Sequence, residues 1–368
     1  MDQFKQIIHI IFITGASQGI ILSFVLLTNS RGNKKANKIL GLKIFIFSLV
    51  IFLYFFKPTD TSHICFLCTL VQTLLYLIGP LFYLYIVTLI TSNTLNIRKL
   101  IHFVPFTLLL FFYLVYYIME LPLHNLSKIS PYITQCLLLH FLFYNFISFF
   151  KLQKYSSIIK ETFSNIDKIN LCWLKILTVG FITISMSGVV FSLFVGRGYI
   201  LWGLISILFS LFLYIMGYYS LKQPEIISGV LKIYTDTTTK KSSGKYLKTS
   251  LKQEDITKFI QRIEHFMRNN KPYLENSITL QKLSSYIKIP SHHLSQIIND
   301  KFNMNFYEFI NSWRIKKAKE LLHSDSCRHM TISAIAFDIG FNSISTFNSA
   351  FKKNTGQTPS QYRSEIRN

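Results

Sequence analysis

Apolar residues run in nearly unbroken blocks as far as Leu221, and beyond it they recur only at helical spacing. Seven blocks stand out, at about 7–28, 39–56, 64–90, 101–119, 131–150, 170–195 and 199–221. A helix needs roughly 20 mostly apolar residues to cross hydrocarbon, so the pattern predicts seven membrane-spanning helices. The third block contains Gly79-Pro80, which predicts a kink or an interfacial end. The second is short, and its Lys43 is expected to snorkel to the surface.

After the last block, Pro224 discourages further helix, and the polar stretch "TDTTTKKSSGK" at 235–245 reads as a flexible tether. Ser250 and Gln253 form a capping-box pattern opening a helix at about 251–268. Ile256, Phe259, Ile260, Ile263, Phe266 and Met267 fall on one stripe of it. Such a stripe serves either packing on the following domain or pairing with a second copy of the chain.

From Ile278 onward a near-repeat appears. "LQKLSSYIKIPSHHLSQIIND" (280–300) and "ISAIAFDIGFNSISTFNSAFKKN" (332–354) each give a short helix, a tight turn and a second short helix. Thr279 and Thr331 suit the N-caps of the leading helices, and Gly340 suits a left-handed turn. Small residues (Ser284, Ala336) let the paired helices cross closely, the geometry of a helix-turn-helix unit. The trailing helix of the second copy keeps an outward face of short polar side chains, as a major-groove reader requires. Between the copies, "NFYEFINSWRIKKAKELL" (305–322) is one amphipathic helix with Phe306, Phe309, Ile310, Trp313, Ala318, Leu321 and Leu322 on its buried stripe. It is long enough to hold two readers at successive major grooves, about 34 Å apart.

Charge sharpens this division. Residues 1–221 hold 16 Lys/Arg and 5 Asp/Glu, and residues 222–368 hold 23 and 12, so each part carries a net +11 of the total +22. A basic water-compatible part suits a polyanionic partner, nucleic acid or membrane surface. Basic residues in the short connecting loops set direction. Arg31, Lys34, Lys35, Lys38, Arg98, Lys99, Lys151, Lys154, Lys160 and Lys168 lie on the odd-numbered loops, against Lys5, Lys57, Lys128 and Arg197 on the alternate side. The odd loops are therefore expected in the cytoplasm, with the N-terminus outside and the C-terminal part inside. Asp2 and Lys5 give only a weakly charged start and no A-x-A-like site follows, so the first block is expected to be retained.

Candidate chemistry is sparse. Cys65, Cys68, Cys136 and Cys172 lie in apolar runs and Cys327 stands alone in the polar part, which predicts small buried hydrophobes, or a redox pair at Cys65/Cys68, rather than a disulfide framework. Gln135, His140 and Asn145 in the fifth block sit near membrane depth, where polar side chains face protein or a cavity. They are candidates for sensing an unknown signal or ligand, His140 by ligand or proton binding, or for interhelical hydrogen bonding. No phosphate-binding loop, metal-spaced His/Glu cluster or nucleophile elbow is present. No acidic residue lies at membrane depth. An enzyme is not expected, and neither is a metal or other cofactor.

The segment from about 272 to 363 resembles the DNA-binding domain of the AraC/XylS family of bacterial transcription regulators. "ITLQKLSSYI", "HLSQIIN", "FINSWRIKKAKELL", "ISAIAFDIGFNS" and "STFNSAFKKNTGQTPSQYR" carry the resemblance. The multi-span front, with "GPLFYLY" and "HFVPF", is similar to the membrane-anchored members seen in Bacteroidetes-type bacteria. The expected fold class is all-α: a seven-helix transmembrane bundle (1–221), a linker (222–271), and a cytoplasmic double helix-turn-helix domain (272–366). Double-stranded DNA and the lipid bilayer are the implied partners, with a homodimer through the 251–268 helix as a further one. The resemblance places DNA contacts on His292, His293, Ser295 and Gln296 of the first reader, and on Asn342, Ser343, Ile344, Ser345, Asn348 and Ser349 of the second. Arg314, Lys352 and Lys353 are phosphate-contact or domain-packing candidates. Pro290 stands where the family usually has a capping Ser, so the first reading helix is expected to start at Ser291. The second reader has no Arg for bidentate contacts to guanine.

The implied function is a membrane-embedded one-component transcription regulator, acting through proximity of two DNA-binding domains or through proteolytic release across the 235–245 tether. The alternative is a receptor or transporter whose C-terminal domain is an interaction scaffold.

Overall fold

Where side chains are apolar and water is scarce, the backbone must satisfy its own N–H and C=O groups, and a helix does so within one segment. Each of the seven apolar blocks meets helix in the computed structural model of the chain, which describes residues 2–29, 32–55, 71, 73–91, 97–120, 123–194, 199–222 and 253–367. The tether at 235–245, Ser250, Pro224, Cys65 and Cys68 lie outside the described residues. Two compact units result: Met1–Lys154 with Leu171–Asp236, and Tyr155–Asn170 with Thr237–Asn368. The loop joining the fifth and sixth blocks thus belongs with the C-terminal unit, which the hydrophobic pattern did not indicate.

The helices of the first unit are α1 (Asp2–Thr28), α2 (Lys34–Phe55), α3 (Ile78–Ile90), α4 (Val104–Ile118, after a 3-10 turn at Ile97–Phe103), α5 (Leu123–Thr162, whose last turns from Tyr155 belong to the second unit), α6 (Cys172–Phe194) and α7 (Tyr199–Lys222). Helix α1 packs along α2, α2 against α3, and α6 against α7. Polar bonds tie these helices: Ser23 donates to the Gly41 carbonyl at 2.8 Å and Ser220 to Asn37 Oδ1 at 3.1 Å. The third block breaks just before Gly79-Pro80, where a turn at Tyr76 and Leu77 precedes α3. Among the described residues, five helical segments are long and apolar enough to cross a membrane: Lys34–Leu53, Thr73–Ile90, Lys99–Ile118, Pro131–Thr162 and Cys172–Phe191. The described apolar stretches at the first and seventh blocks, Phe12–Thr28 and Ile207–Lys222, are shorter.

Lys43 departs from expectation. It is fully buried, with its ammonium 4.1 Å from the centre of the Phe82 ring and 4.9 Å from that of Phe181. The stem lies inside the packing of α2, and two aromatic faces take the place of water around the cation. Cys136 and Cys172 also differ: both sit in apolar helices but on exposed faces.

The C-terminal unit is built from α8 (Gln253–Asn269), α9 (Leu280–Ile287), α10 (Ser291–Phe302), α11 (Phe306–His323), α12 (Ile332–Asp338), α13 (Ile344–Thr355) and α14 (Pro359–Arg367). Side-chain caps fix most of the starts. Thr279 accepts from the Lys282 amide and Thr331 from the Ala334 amide. Asn305 and Glu308 form a reciprocal capping box at α11. Helix α10 begins at Ser291 after an uncapped Pro290, as expected. The apolar stripe of α8 is used within the chain: Ile263 and Met267 are fully buried, and Phe259, Ile260 and Phe266 pack on the same core. Of the two roles open to that stripe, packing on the following domain is the observed one.

Two cores share α11. Phe306, Phe309 and Ile310 from its first half join Leu283, Ile287, Leu294 and Ile297. Ile315, Ala318 and Leu322 from its second half join Ile335, Ala336, Phe347 and Phe351. Each helix-turn-helix pair thus folds around its own core, and α11 runs through both.

Candidate nucleic-acid interface

A reading helix needs one face locked to its domain and the other free for base edges. In α13, Phe347 and Phe351 are buried, stacked edge-on at 5.6 Å, and fix the helix. Ile344, Ser345, Asn348, Ser349, Lys352 and Lys353 are exposed, as is Asn342 just ahead of them. Ser343 is the N-cap, half-buried, and accepts from the Thr346 amide. In α10, Leu294, Ile297 and Ile298 are buried while His292 and Gln296 are exposed; His293 and Ser295 are half-buried. The exposed faces of α10 and α13 thus carry most of the residues on which the resemblance places contacts, with His293, Ser295 and Ser343 half-buried. Burial, and next the neighbouring His292, hold the His293 imidazole below its usual pKa.

The turn before α13 depends on Gly340, whose φ is +92°. A Cβ there would sit 2.7 Å from the Leu274 carbonyl oxygen and 2.9 Å from that of Tyr273. The residue is needed both for its left-handed backbone and for the approach of the chain at 273–274.

Arg314 is turned inward. It is 1% exposed, and its guanidinium donates to the carbonyls of Tyr273 at 2.7 Å, Glu275 at 2.9 Å and Ser164 at 3.3 Å. It also reaches Asn311 Oδ1 and Ser164 Oγ, each at 3.3 Å. Burial pulls its pKa down to about 10, so it stays charged at neutral pH. Of the two roles open to it, packing is the observed one. The amphipathic pattern put Trp313 on the buried stripe and left Arg314 off it. Trp313 is instead half-buried, stacked on Tyr273 at 6.0 Å. Lys353 is exposed but paired, 2.6 Å from the Glu308 carboxylate, and so ties α13 to the start of α11. Lys352 is exposed.

Two residues at this face, Thr346 and Asp167, were absent from the sequence-derived set. Thr346 donates to Asp167 Oδ1 at 2.6 Å, and Ser343 donates to Asp167 Oδ2 at 3.0 Å. Asp167 lies in the loop between α5 and α6, some 176 positions away in sequence, and no local pattern links the two.

Within the first unit, the three polar candidates on α5 have separate surroundings. Asn145 is fully buried and donates to the Phe141 carbonyl of its own helix at 2.8 Å. His140 is flanked by the rings of Tyr144 (4.9 Å) and Tyr76 (5.1 Å), and both its nitrogens are buried without a hydrogen-bond partner. Gln135 is half-buried. Nearby, His102 Nδ1 lies 3.0 Å from the Tyr144 hydroxyl. No group of three or more metal-binding side chains occurs among the described residues.

Comparison with known proteins meets the chain at its C-terminal end. The family described as "Helix-turn-helix domain" matches residues 283–365. An uncharacterised HTH-type transcriptional regulator of Staphylococcus aureus (strain COL) is 35% identical over 94 residues, 25% of this chain and 12% of that protein. One from Bacillus subtilis (strain 168) is 32% identical over 94 residues, 26% of this chain and 29% of that one. This chain thus spans about an eighth of the length of the Staphylococcus relatives it matches. Among solved structures, it is similar to the C-terminal domain of AraT, a response regulator from Geobacillus stearothermophilus, with 25% identity over 32% of this chain and 88% of that one (TM-score 0.26). It is also similar to the C-terminal domain of the two-component response regulator yesN from Fusobacterium nucleatum, with 28% identity over 29% and 98% (TM-score 0.25). The C-terminal part of this chain, across residues 283–365, is a helix-turn-helix domain of the AraC type.

Proposed function

We propose that the chain is a membrane-embedded one-component transcription regulator. Its apolar helices sense a signal, and its C-terminal unit binds promoter DNA through two reading helices, α10 and α13. The observation that carries the reading is the two-faced build of α13: Phe347 and Phe351 locked in the core, and Ser345, Asn348, Ser349 and Lys352 turned outward. Hydroxyl and amide side chains on such a face can reach base edges in the major groove. Membrane embedding is supported by the five long apolar helical segments. It is supported further by α4, which exposes Leu108, Phe111, Leu114, Tyr117 and Ile118. That surface is stable only against hydrocarbon or another apolar surface. We read all seven apolar blocks as spans, with the C-terminal unit in the cytoplasm, from the loop charges.

For sensing, His140 is the favoured residue of the three on α5, because its imidazole is enclosed by aromatic rings with neither nitrogen engaged. Genome-wide mapping of sites bound by a tagged full-length protein tests the output. A recurrent sequence motif that disappears with the double variant Ser345→Ala/Asn348→Ala is expected. Binding that shows no sequence preference, or that survives this change intact, overturns the assignment of α13 as a reader. A reporter fused after Leu221 is expected to report cytoplasm, and a periplasmic signal overturns the topology.

A further inference from the structure

The loop from Phe163 to Asn170 is fastened to the DNA-binding unit at two separate places. At one, Phe163 forms an antiparallel bridge with Thr279, the Ser164 amide donates to the Ile278 carbonyl at 3.2 Å, and Arg314 holds Ser164 through both its carbonyl and its hydroxyl. Ile166 and Ile169 are buried, and the Tyr155 hydroxyl closes the loop by donating to the Ile169 carbonyl at 2.8 Å. At the other place Asp167 presents its carboxylate to the start of α13. Each carboxylate oxygen accepts from one hydroxyl, Ser343 at 3.0 Å and Thr346 at 2.6 Å. The Asp167 charge is also felt by the half-buried Tyr307 on α11: burial, then Asp167, push that phenol upward. Residues 1–221 contain only five acidic side chains, and one of them is placed at the N-terminus of the second reading helix.

An anion with two oxygens at a helix N-terminus, bonded by two hydroxyls, is the arrangement in which a phosphodiester binds. We propose that Ser343 and Thr346 form a contact site for a DNA backbone phosphate, and that the Asp167 carboxylate occupies this site and excludes the duplex from α13. One site then serves two competing anions. Docking of the 163–170 loop closes the second reader, and its release opens it. Because this loop is the covalent connection from α5 to α6, occupancy of the phosphate site links the apolar helices to DNA affinity without passing through the 235–245 segment. The inference rests on α13 being a DNA reader.

A phosphate contact is independent of base sequence, so a random-sequence labelled duplex of about 30 base pairs suffices as probe. Anisotropy titrations with the full-length chain in lipid nanodiscs at about 50 mM salt are compared for wild type, Asp167→Ala and Asp167→Asn. Both hydrogen bonds to the carboxylate are solvent-exposed and so discounted, and their loss in Asp167→Ala is expected to tighten duplex binding about tenfold. Asp167→Asn, which keeps the shape and removes the charge, changes affinity in the same direction. Adding Ser343→Ala and Thr346→Ala to Asp167→Ala then weakens binding at least threefold, because the freed site is itself a contact. Lys352→Glu weakens binding in every background if the duplex lies on α13. Equal affinities for wild type and both Asp167 variants, with Lys352→Glu still weakening them, overturn the competition and leave the reader standing. Binding that is indifferent to Lys352→Glu, or absent throughout, overturns the reader itself.

Discussion

Replacing Arg314 by methionine keeps a long unbranched stem in the same space and removes every donor the guanidinium supplies. The carbonyls of Tyr273 and Glu275, at 2.7 and 2.9 Å, lose their shortest partners, and the Ser164 carbonyl loses a third at 3.3 Å. A hydrogen bond to a charged group is worth about 1.5–3 kcal/mol, and an abandoned buried acceptor costs about 1–3 kcal/mol. The two short bonds alone then set a loss of about 3 kcal/mol, even after relief of the cost of burying a cation. Local opening of the C-terminal unit should become easier by that amount, a factor of about 150. Hydrogen exchange followed by mass spectrometry on the full-length protein reads this directly in peptides from α11, where wild-type amides are protected by both cores. Arg314→Lys retains the charge but has no fork to serve Tyr273 and Glu275 together, so it should recover less than half of the lost free energy. Exchange in α11 within threefold of wild type for Arg314→Met would refute the claim that this buried cation holds the unit together.

Gly340→Ala and Gly356→Ala separate backbone strain from crowding. Both glycines have positive φ, +92° and +80°, but a Cβ at Gly340 meets two carbonyl oxygens while one at Gly356 meets nothing within 4 Å. Gly356→Ala should cost about 1 kcal/mol and Gly340→Ala at least twice that, measured as loss of amide protection in the C-terminal unit; equal costs would remove crowding from the account. Asn305→Ala removes the α11 capping box and should cost about 1 kcal/mol, visible as faster exchange in the first turn of α11. Lys353, and then the Asn305 amide, hold the Glu308 carboxyl below its usual value. A depressed carboxylate stabilises above its unfolded pKa and loses that contribution as pH falls through the folded one. The difference in protection between wild type and Glu308→Gln should therefore begin to shrink near pH 4.5 and vanish only once pH has fallen through the depressed folded value, and it should be small, under ~1 kcal/mol, because the pair is exposed.

The C-terminal unit was legible because its signals are local. Thr279, Thr331 and Gly340 act within a few residues of themselves, and the stripes of α8, α10 and α13 repeat at helical period, so caps, turn and faces could be read directly. The full burial of Lys43 and Arg314 escaped the hydrophobic pattern for a shared reason. Hydropathy pushes cations toward water, whereas here a pair of phenylalanine rings and a set of backbone carbonyls replace that water, and both partners come from distant segments. The contact of Asp167 with Ser343 and Thr346 could not be read at all, since a single aspartate in a short loop has no period. The boundary of the C-terminal unit followed suit, because residues 155–170 join it through Ser164 rather than through any feature of composition.

Helix α11 also restricts how this domain can change over evolutionary time. A flexible hinge between two readers would let small insertions retune the distance between the DNA half-sites gradually. Here each added residue in α11 advances the second reader by about 1.5 Å and turns it by about 100°, which swings its reading face away from the duplex. Only insertions near whole helical turns bring the face back, and each then moves the second reader along by about 5 Å. With both α10 and α13 reading DNA as proposed, the half-site spacing available to descendants of this chain is stepped. A shift in promoter architecture must await a matched multi-residue insertion or leave the second reader out of register.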